Sequence, residues 1–513
     1  MTAPTTSGAP AAGRRPRRKL TEHFAFHAAS ALGTSILQQV VGLLRQILVA
    51  AFFGLSRDLD GYIVVFGLAT MLVFNLSGVF DTVVVSRLVQ LRERDGEDAF
   101  WCASNRVLWQ ALAVGVLFAA SFSLVLWLAL PIITAGFTAA ERAYVAHVGW
   151  YFLPWIAVIV PYYAVSAHLK STWRFSWVFG SEILTIVVSI LVLLLDHSSV
   201  VALPIAYSTG YLVSFLLLLW RRGLRASHPA QRPGGLMPSM SKQYLAIQVG
   251  TATGFADRYF QSFLMPGGIS ALGYVGLIVN NLSSLLTFRE IYVVPLSVEE
   301  GRERRLERML QGIVLVSIPC ALFFVVYAEP VVSVLLQRGK FTPEAAAVTA
   351  MVLRIQALTL LISTMVSPLE RIFQILDRLS FTQLRYLAAF FATLIFQSLF
   401  VFYLGLDVQG VAWGGLCSSF IILLMVILLV RRCGVVVRWR GVFGNAAFAA
   451  ATAAVAMGLS WLAASHYRGL LELIIGGGVY GVVLAASYFM ASERLGFVIG
   501  WHPRAVNGGR SEA

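Results

Sequence analysis

The residues of this chain that can do chemistry are ionisable side chains standing inside long apolar stretches: Arg45, Asp81, Glu182, Asp257, Arg258, Arg289, Glu290, Arg354, Glu370 and Arg371. A charge at mid-depth in hydrocarbon costs roughly 2.5–3.5 kcal/mol or more, so it normally faces a cavity or a partner. Arginine stays protonated there, and its planar guanidinium can grip two phosphate oxygens at once. Arg45, Arg258 and Arg354 are therefore candidates for binding an anionic, phosphorylated ligand. The acids suit ion pairing, gating or coupling to protons or sodium. Asp81 and Glu182 are placed for coupling or for a structural hydrogen bond, Asp257 for pairing an arginine, and Asp60, at the end of the second stretch, for helix capping or a gate contact. Arg289 with Glu290 and Glu370 with Arg371 are sequence neighbours, which point about 100° apart on a helix. Snorkelling and gate ion pairs compete as their roles.

No catalytic or metal-binding constellation accompanies these charges. His147, His168, His197 and His466 are isolated near the ends of apolar stretches, and none forms a ligand pair at helical spacing. Cys102, Cys320, Cys417 and Cys433 lack paired spacing and read as packing residues. Gly476, Gly477 and Gly478 lie within an apolar segment, where small residues serve close helix packing rather than phosphate cradling. The expectation is a non-enzyme without metal or cofactor, with coupling to an ion or to the membrane potential left open.

The elements that position these residues follow from composition. Of 513 residues 58% are hydrophobic and 12% charged, and the mean hydropathy is +0.78. Soluble proteins carry about a quarter charged residues, so a cytosolic enzyme, a disordered chain and a disulfide scaffold are all excluded. Polar interruptions separate fourteen segments near the roughly 20 residues a membrane helix needs, the first at 27–53 and the last at 469–492. The least distinct are the fifth and sixth, parted only by Asp196, His197 and Ser198, and the last two. With the N-terminus inside, 29 of the 39 Lys and Arg fall in the tails and inside loops, five in outside loops and five within spans. That asymmetry is what the positive-inside rule requires of an even number of crossings. It accounts for most of the +14 net charge without nucleic acid, and it gives the inside face an affinity for anionic lipid.

Two stretches repeat one another: Gly136-Phe137-Thr138-Ala139-Ala140-Glu141 precedes the fourth segment, and Gly339-Lys340-Phe341-Thr342-Pro343-Glu344 precedes the tenth. Arg45 stands before Gly61-Tyr62 as Asp257 and Arg258 stand before Gly273-Tyr274, and Phe80–Leu88 is echoed by Phe288–Leu296. Six segments separate each pair, so the halves are parallel repeats about an axis along the membrane normal. The expected architecture is an all-α polytopic membrane protein of about fourteen transmembrane helices. It comprises a basic cytoplasmic tail (1–26), an N-lobe of spans 1–6 (27–222), a cytoplasmic linker (223–243) and a C-lobe of spans 7–12 (244–432). Two appended spans (433–492) and a cytoplasmic tail (493–513) follow. Pro154, Pro161 and Pro368 fall in the fourth and tenth spans as expected bending points.

The segment LLQRGKFT (Leu335–Thr342), with ADRYFQSFLMPGGISALGY (Ala256–Tyr274), resembles the MurJ/MviN family. The likeness runs from about residue 27 to 440. It implies a lipid flippase of the multidrug/oligosaccharidyl-lipid/polysaccharide exporter superfamily, resident in the cytoplasmic membrane. Such a protein moves an undecaprenyl-pyrophosphate-linked saccharide, lipid II in the best-known members, by alternating access around a cationic cavity. The first-helix pattern keeps Gly42 and Arg45, but Gln38-Gln39 replaces a Ser-Arg pair. In the second helix Asp60-Gly61-Tyr62 fits, whereas Ala69-Thr70 and Val73 stand where the family has Pro-Asn and Arg. In the eighth, Tyr274 is followed by Gly276-Leu277 rather than an acid and an Arg. These departures shift the expected cargo toward an exopolysaccharide or capsule repeat unit on the same lipid. Arg45, Arg258 and Arg354 would attract the pyrophosphate, with Asp60 and Asp257 pairing the arginines in the empty state. The alternatives are a cation-coupled drug exporter of the same superfamily and a non-transporting scaffold for cell-envelope synthesis enzymes.

Overall fold

The computed structural model describes residues 17–495 apart from 74–75, 224, 226–239, 242–243, 245–247, 288–300 and 377. Among the described residues every regular element is helical. Hydrocarbon offers no partner to a peptide group, so a spanning segment must bond its own backbone.

Ten helices are long and apolar enough to cross a membrane, and Leu37–Phe53 and Gly268–Ser283 are shorter apolar ones. The longest continuous run, Arg57–Leu128, has 72 residues and would be roughly 110 Å long if straight. It carries two crossings. It consists of α2 (Arg57–Val73), α3 (Leu76–Val79), a π-helical turn (Phe80–Val85) and α4 (Ser86–Leu128), following α1 (Arg17–Phe53). The reversal is at Gly96, whose φ of 84° and ψ of −176° are open to glycine but not to side-chain-bearing residues. The chain continues with α5 (Leu130–Ile133), α6 (Ala139–Trp150), α7 (Leu153–Ser171), α8 (Phe175–Leu195) and α9 (Ala202–Arg222). Pro154 sits in the first turn of α7, where its missing N–H is harmless, so the fourth span is broken at Tyr151–Phe152. The fifth and sixth spans form as separate helices, α8 and α9.

The second half begins with a short 3₁₀ turn (Val249–Thr251) and α10 (Ala252–Gln261), then α11 (Gly268–Thr287), α12 (Arg302–Val326), α13 (Ala328–Leu336) and α14 (Pro343–Ile375). It ends with α15 (Leu379–Gln397), a second π-helical turn (Ser398–Tyr403), α16 (Asp407–Arg432), α17 (Trp439–Ala464) and α18 (Leu470–Leu495).

In the first half α4 packs on α7, α8 on α9 and α1 on α8; in the second, α14 lies between α12 and α16. Helices α17 and α18 pack on each other, α17 against α12 and α18 against α13. Their attachment answers a backbone defect. Pro319, inside α12, cannot donate to the Leu315 carbonyl; the Tyr488 hydroxyl donates to it instead at 2.6 Å, and Tyr480 donates to the Pro319 carbonyl at 2.8 Å.

Among the described residues the two halves share one core cluster, and Tyr244 and Gly254 of the second half also reach Leu72 and Met71 of α2. A continuous apolar cluster runs from Phe53, Leu59 and Phe152 into Leu264, Ile269, Tyr274 and Phe341. A second cluster, with Leu306, Leu310, Phe373 and Val430, stays within the second half. The molecule is sealed between its halves where the first cluster crosses.

Candidate functional site

The seal is built largely from backbone. After α1, Gly54 (φ +60°) lies so close to the Lys340 carbonyl that a Cβ there would stand 2.5 Å from its oxygen; at Gly339 (φ +58°) a Cβ would stand 2.3 Å from the Ala51 oxygen. Lys340 N–H donates to that Ala51 oxygen at 2.9 Å. The counterpart contact joins the other repeat. A Cβ on Gly136 would meet the Ser262 oxygen at 2.4 Å, and Gly136 N–H donates to the Ser262 hydroxyl at 3.1 Å. Gly136 thus docks just after α10 of the second half, and Gly339 on the end of α1 in the first. The other two motif residues also have structural work. Phe137 and Phe341 are buried. Thr138 and Glu141 form a capping box on α6, and the Thr342 hydroxyl accepts from Ala345 N–H on α14.

Asp60 completes the seal. Its carboxylate is fully buried and accepts from Gly267 N–H at 2.6 Å, Ser270 N–H at 2.7 Å and the Ser270 hydroxyl at 2.7 Å. A carboxylate of the first half therefore caps the N-terminus of α11 in the second, where the helix dipole favours it. Arg57 approaches Asp60 at 4.0 Å, pairs with Glu141 at 3.0 Å, donates to the Leu264 carbonyl at 3.2 Å and lies 3.9 Å from the Phe137 ring centre.

Beside the seal, between the halves, lies a cavity of about 740 Å³. Helix α1 lines it with Gln38, Gln39, Gly42, Arg45 and Gln46, a stripe at helical spacing. Helix α2 contributes Tyr62, Phe66, Gly67 and Thr70, and α9 contributes Tyr207. From the second half come Asp257, Arg258, Gln261, Tyr274, Asn280, Asn281, Gln356 and Gln397. Arg45 sits 4.8 Å from the centre of the Tyr207 ring. The Arg258 guanidinium reaches across to α2 and lies against Gly67, where a Cβ would stand 2.6 Å from its Nε; its Nη1 donates to Gln261 at 2.7 Å. Asp257 accepts from the Gln397 amide at 2.6 Å. Arg45, Arg258 and Asp257 are the only charged lining residues among those described.

A family model described as lipid II flippase MurJ matches residues 49–475. The chain belongs to the MurJ lipid II flippase family. Members of the MurJ family are transporters of lipid-linked precursors rather than enzymes. Among solved structures, lipid II flippase MurJ in an inward closed conformation is 18% identical with a TM-score of 0.72, covering 90% of this chain and 98% of that one. An inward-facing multidrug-resistance MATE transporter of the MOP superfamily is 14% identical with a TM-score of 0.58, covering 77% and 94%. A MOP superfamily transporter from Pyrococcus furiosus, described as having a binding pocket of reversed polarity, is 12% identical with a TM-score of 0.54, covering 78% and 93%. These likenesses establish the MurJ-type polytopic membrane fold. No curated protein matches the chain by direct sequence comparison.

Within this MurJ fold, Arg45 and Arg258 meet at one cavity, whereas Arg354 does not. Arg354 is 46% exposed and pairs with Glu329 of α13 at 3.6 Å; Gln356 faces the cavity from the same helix. Two residues apart on a helix means about 200° of rotation, so Arg354, expected at the cavity, lies on the opposite side of α14 from Gln356. Asp60 caps α11 and approaches Arg57, and Asp257 accepts from Gln397, so neither acid is hydrogen-bonded to Arg45 or Arg258. Asp81 accepts both its bonds from Lys170 of α7 at 2.8 Å, and Glu182 of α8 lies half-buried in electrostatic range of that pair. Glu370 pairs with Arg385 of α15 at 3.2 Å, inside one half rather than across a gate, and Arg371 is half-buried beside it. Arg289 and Glu290 lie outside the described residues. Charge drew attention away from Arg57, the seam glycines and the carboxamides. The α1 stripe of Gln38, Gln39, Gly42, Arg45 and Gln46 was the signal that could have found the last of these.

Proposed function

We propose that this protein flips a polyprenyl-pyrophosphate-linked saccharide across the cytoplasmic membrane by alternating access. In this reading the two repeats, 27–222 and 244–432, are the moving lobes. The sealed end faces outward and both termini are cytoplasmic, a placement that the distribution of Lys and Arg supports. The observation that carries the reading is a cavity flanked by one arginine from the first helix of each repeat, Arg45 and Arg258, beside an interlobe seal. The two guanidiniums grip the pyrophosphate while the polyprenyl tail stays in lipid. Breaking the Asp60 cap and the two glycine docks opens the sealed end and releases the head group. Asp81 and Glu182 remain the candidates for ion coupling, and the exposed basic residues of the cytoplasmic end for contact with anionic lipid.

The cavity volume favours transport over a membrane scaffold for envelope-synthesis enzymes. Its arginines and amides favour a phosphorylated head group over the apolar, acid-lined site of a cation-coupled drug exporter. The test is transfer of a fluorescent polyprenyl-pyrophosphate saccharide across reconstituted vesicles. Arg45→Ala and Arg258→Ala should each slow it strongly, and undiminished transfer by both variants would sink the proposal.

A further inference from the structure

Among the described residues the cavity holds two cations for a diphosphate and none for anything beyond it. A pyrophosphate diester carries two negative charges, which take up both Arg45 and Arg258; Asp257, hydrogen-bonded to Gln397, adds a carboxylate and no cation. The rest of the polar wall is carboxamide. Three glutamines stand on α1, and Gln261, Asn280, Asn281, Gln356 and Gln397 face them from the second half. A carboxamide both donates and accepts, as sugar hydroxyls and acetamido groups do. The Gln397 Oε1 atom of this lining residue is buried without a hydrogen-bond partner in a side chain only 1% exposed, an acceptor still lacking a donor. Tyr62, Tyr207 and Tyr274 add flat apolar surfaces beside these polar groups. A ligand carboxylate, by contrast, would be desolvated here with no cation left to pair it.

We infer that the head group beyond the pyrophosphate is an uncharged saccharide read by this carboxamide wall, and that a glycan bearing a peptide with free carboxylates is disfavoured. The inference rests on the pyrophosphate-lipid reading of the same cavity and narrows its cargo.

Binding to the full-length protein in nanodiscs tests it with three probes of equal pyrophosphate charge: farnesyl pyrophosphate as its methyl ester, farnesyl pyrophosphate carrying a neutral N-acetylated disaccharide, and the same disaccharide carrying a pentapeptide with free carboxylates. The neutral disaccharide probe should bind about tenfold or more tighter than each of the others, the gain expected of one or two additional net hydrogen bonds. The double variant Gln261→Ala, Gln356→Ala should lower its affinity to that of the methyl ester, and Gln356→Arg should raise the affinity of the pentapeptide probe. Equal or tighter binding of the pentapeptide probe to the unaltered protein, or an unchanged disaccharide affinity in the double variant, would overturn the inference and leave the pyrophosphate reading standing. Binding of no probe, or methyl-ester binding indifferent to Arg45→Ala and Arg258→Ala together, would overturn both.

Discussion

Arg258 can rest against α2 because position 67 carries no side chain: a Cβ there would stand 2.6 Å from its Nε and 2.9 Å from Nη2. Gly67→Ala should displace the guanidinium from its place and weaken farnesyl pyrophosphate binding by about 10- to 100-fold, the range for losing a charge-assisted hydrogen bond, while thermal stability holds. Arg354 calls for the opposite result. Its partner Glu329 lies on the neighbouring helix at 3.6 Å, so Arg354→Leu should leave ligand binding intact and lower stability by up to about 3 kcal/mol, the scale for an unpaired acid at membrane depth. Removing the acid as well, in Arg354→Leu with Glu329→Leu, should restore the melting temperature measured by intrinsic fluorescence. These residues show what sequence could and could not reveal. Arg45 and Arg258 were legible because an intramembrane charge is costly wherever it points, but which way it points depends on neighbouring helices, and that misplaced Arg354. Gln356 and Gln397 carry no charge to announce them.

At the scale of elements, the Gly-Phe-Thr turns are local caps and interlobe docks at once. Gly136→Ala and Gly339→Ala place a Cβ 2.4 Å and 2.3 Å from backbone oxygens across the seam, atoms that cannot swing aside as a side-chain tip can. Overpacking of this kind typically costs about 1–3 kcal/mol. Each substitution should therefore shift the population toward an open seam, seen as a longer distance between spin labels introduced at Ala135→Cys and Phe263→Cys by double electron–electron resonance. The turn after α7 offers a gain instead. Trp173 holds a φ of 62°, stabilised by its N–H to the Lys170 carbonyl and by Arg174 N–H to the Leu169 carbonyl. Trp173→Gly should raise stability by about 1 kcal/mol by relieving the left-handed conformation; a fall in melting temperature would show that the edge-on contact of the indole with the Phe175 ring outweighs that relief. The helices themselves were legible from hydropathy and loop charge. The π-helical turns at Phe80–Val85 and Ser398–Tyr403 were not, because one extra residue in a uniformly apolar run leaves no mark on its periodicity. Nor were the seam glycines, since nothing in a sequence says which backbone will approach which.

For the whole molecule, membership of the MurJ family over residues 49–475 sits with a cavity whose polar lining is mostly uncharged, so fold and cargo are governed by different residues. Helices α17 and α18 belong to the fold side of that division. Tyr488→Phe would leave the Leu315 carbonyl unanswered beside Pro319. Interhelical hydrogen bonds in membranes average about 0.6 kcal/mol, so a small loss of stability is expected, with increased proteolysis between α16 and α17 and no change in probe affinity. The paired docks, Gly339 on Ala51 and Gly136 on Ser262, have a kinetic consequence. In the proposed cycle they and the Asp60 cap hold the two repeats at separate points, so releasing one leaves the others still fastened, and the seam opens only when all have let go within the same fluctuation. The rate of passage then depends on a coincidence rather than on either dock alone. A protein built this way can exchange a bulky amphiphile between the two faces of a membrane while holding back the small ions that would otherwise discharge it.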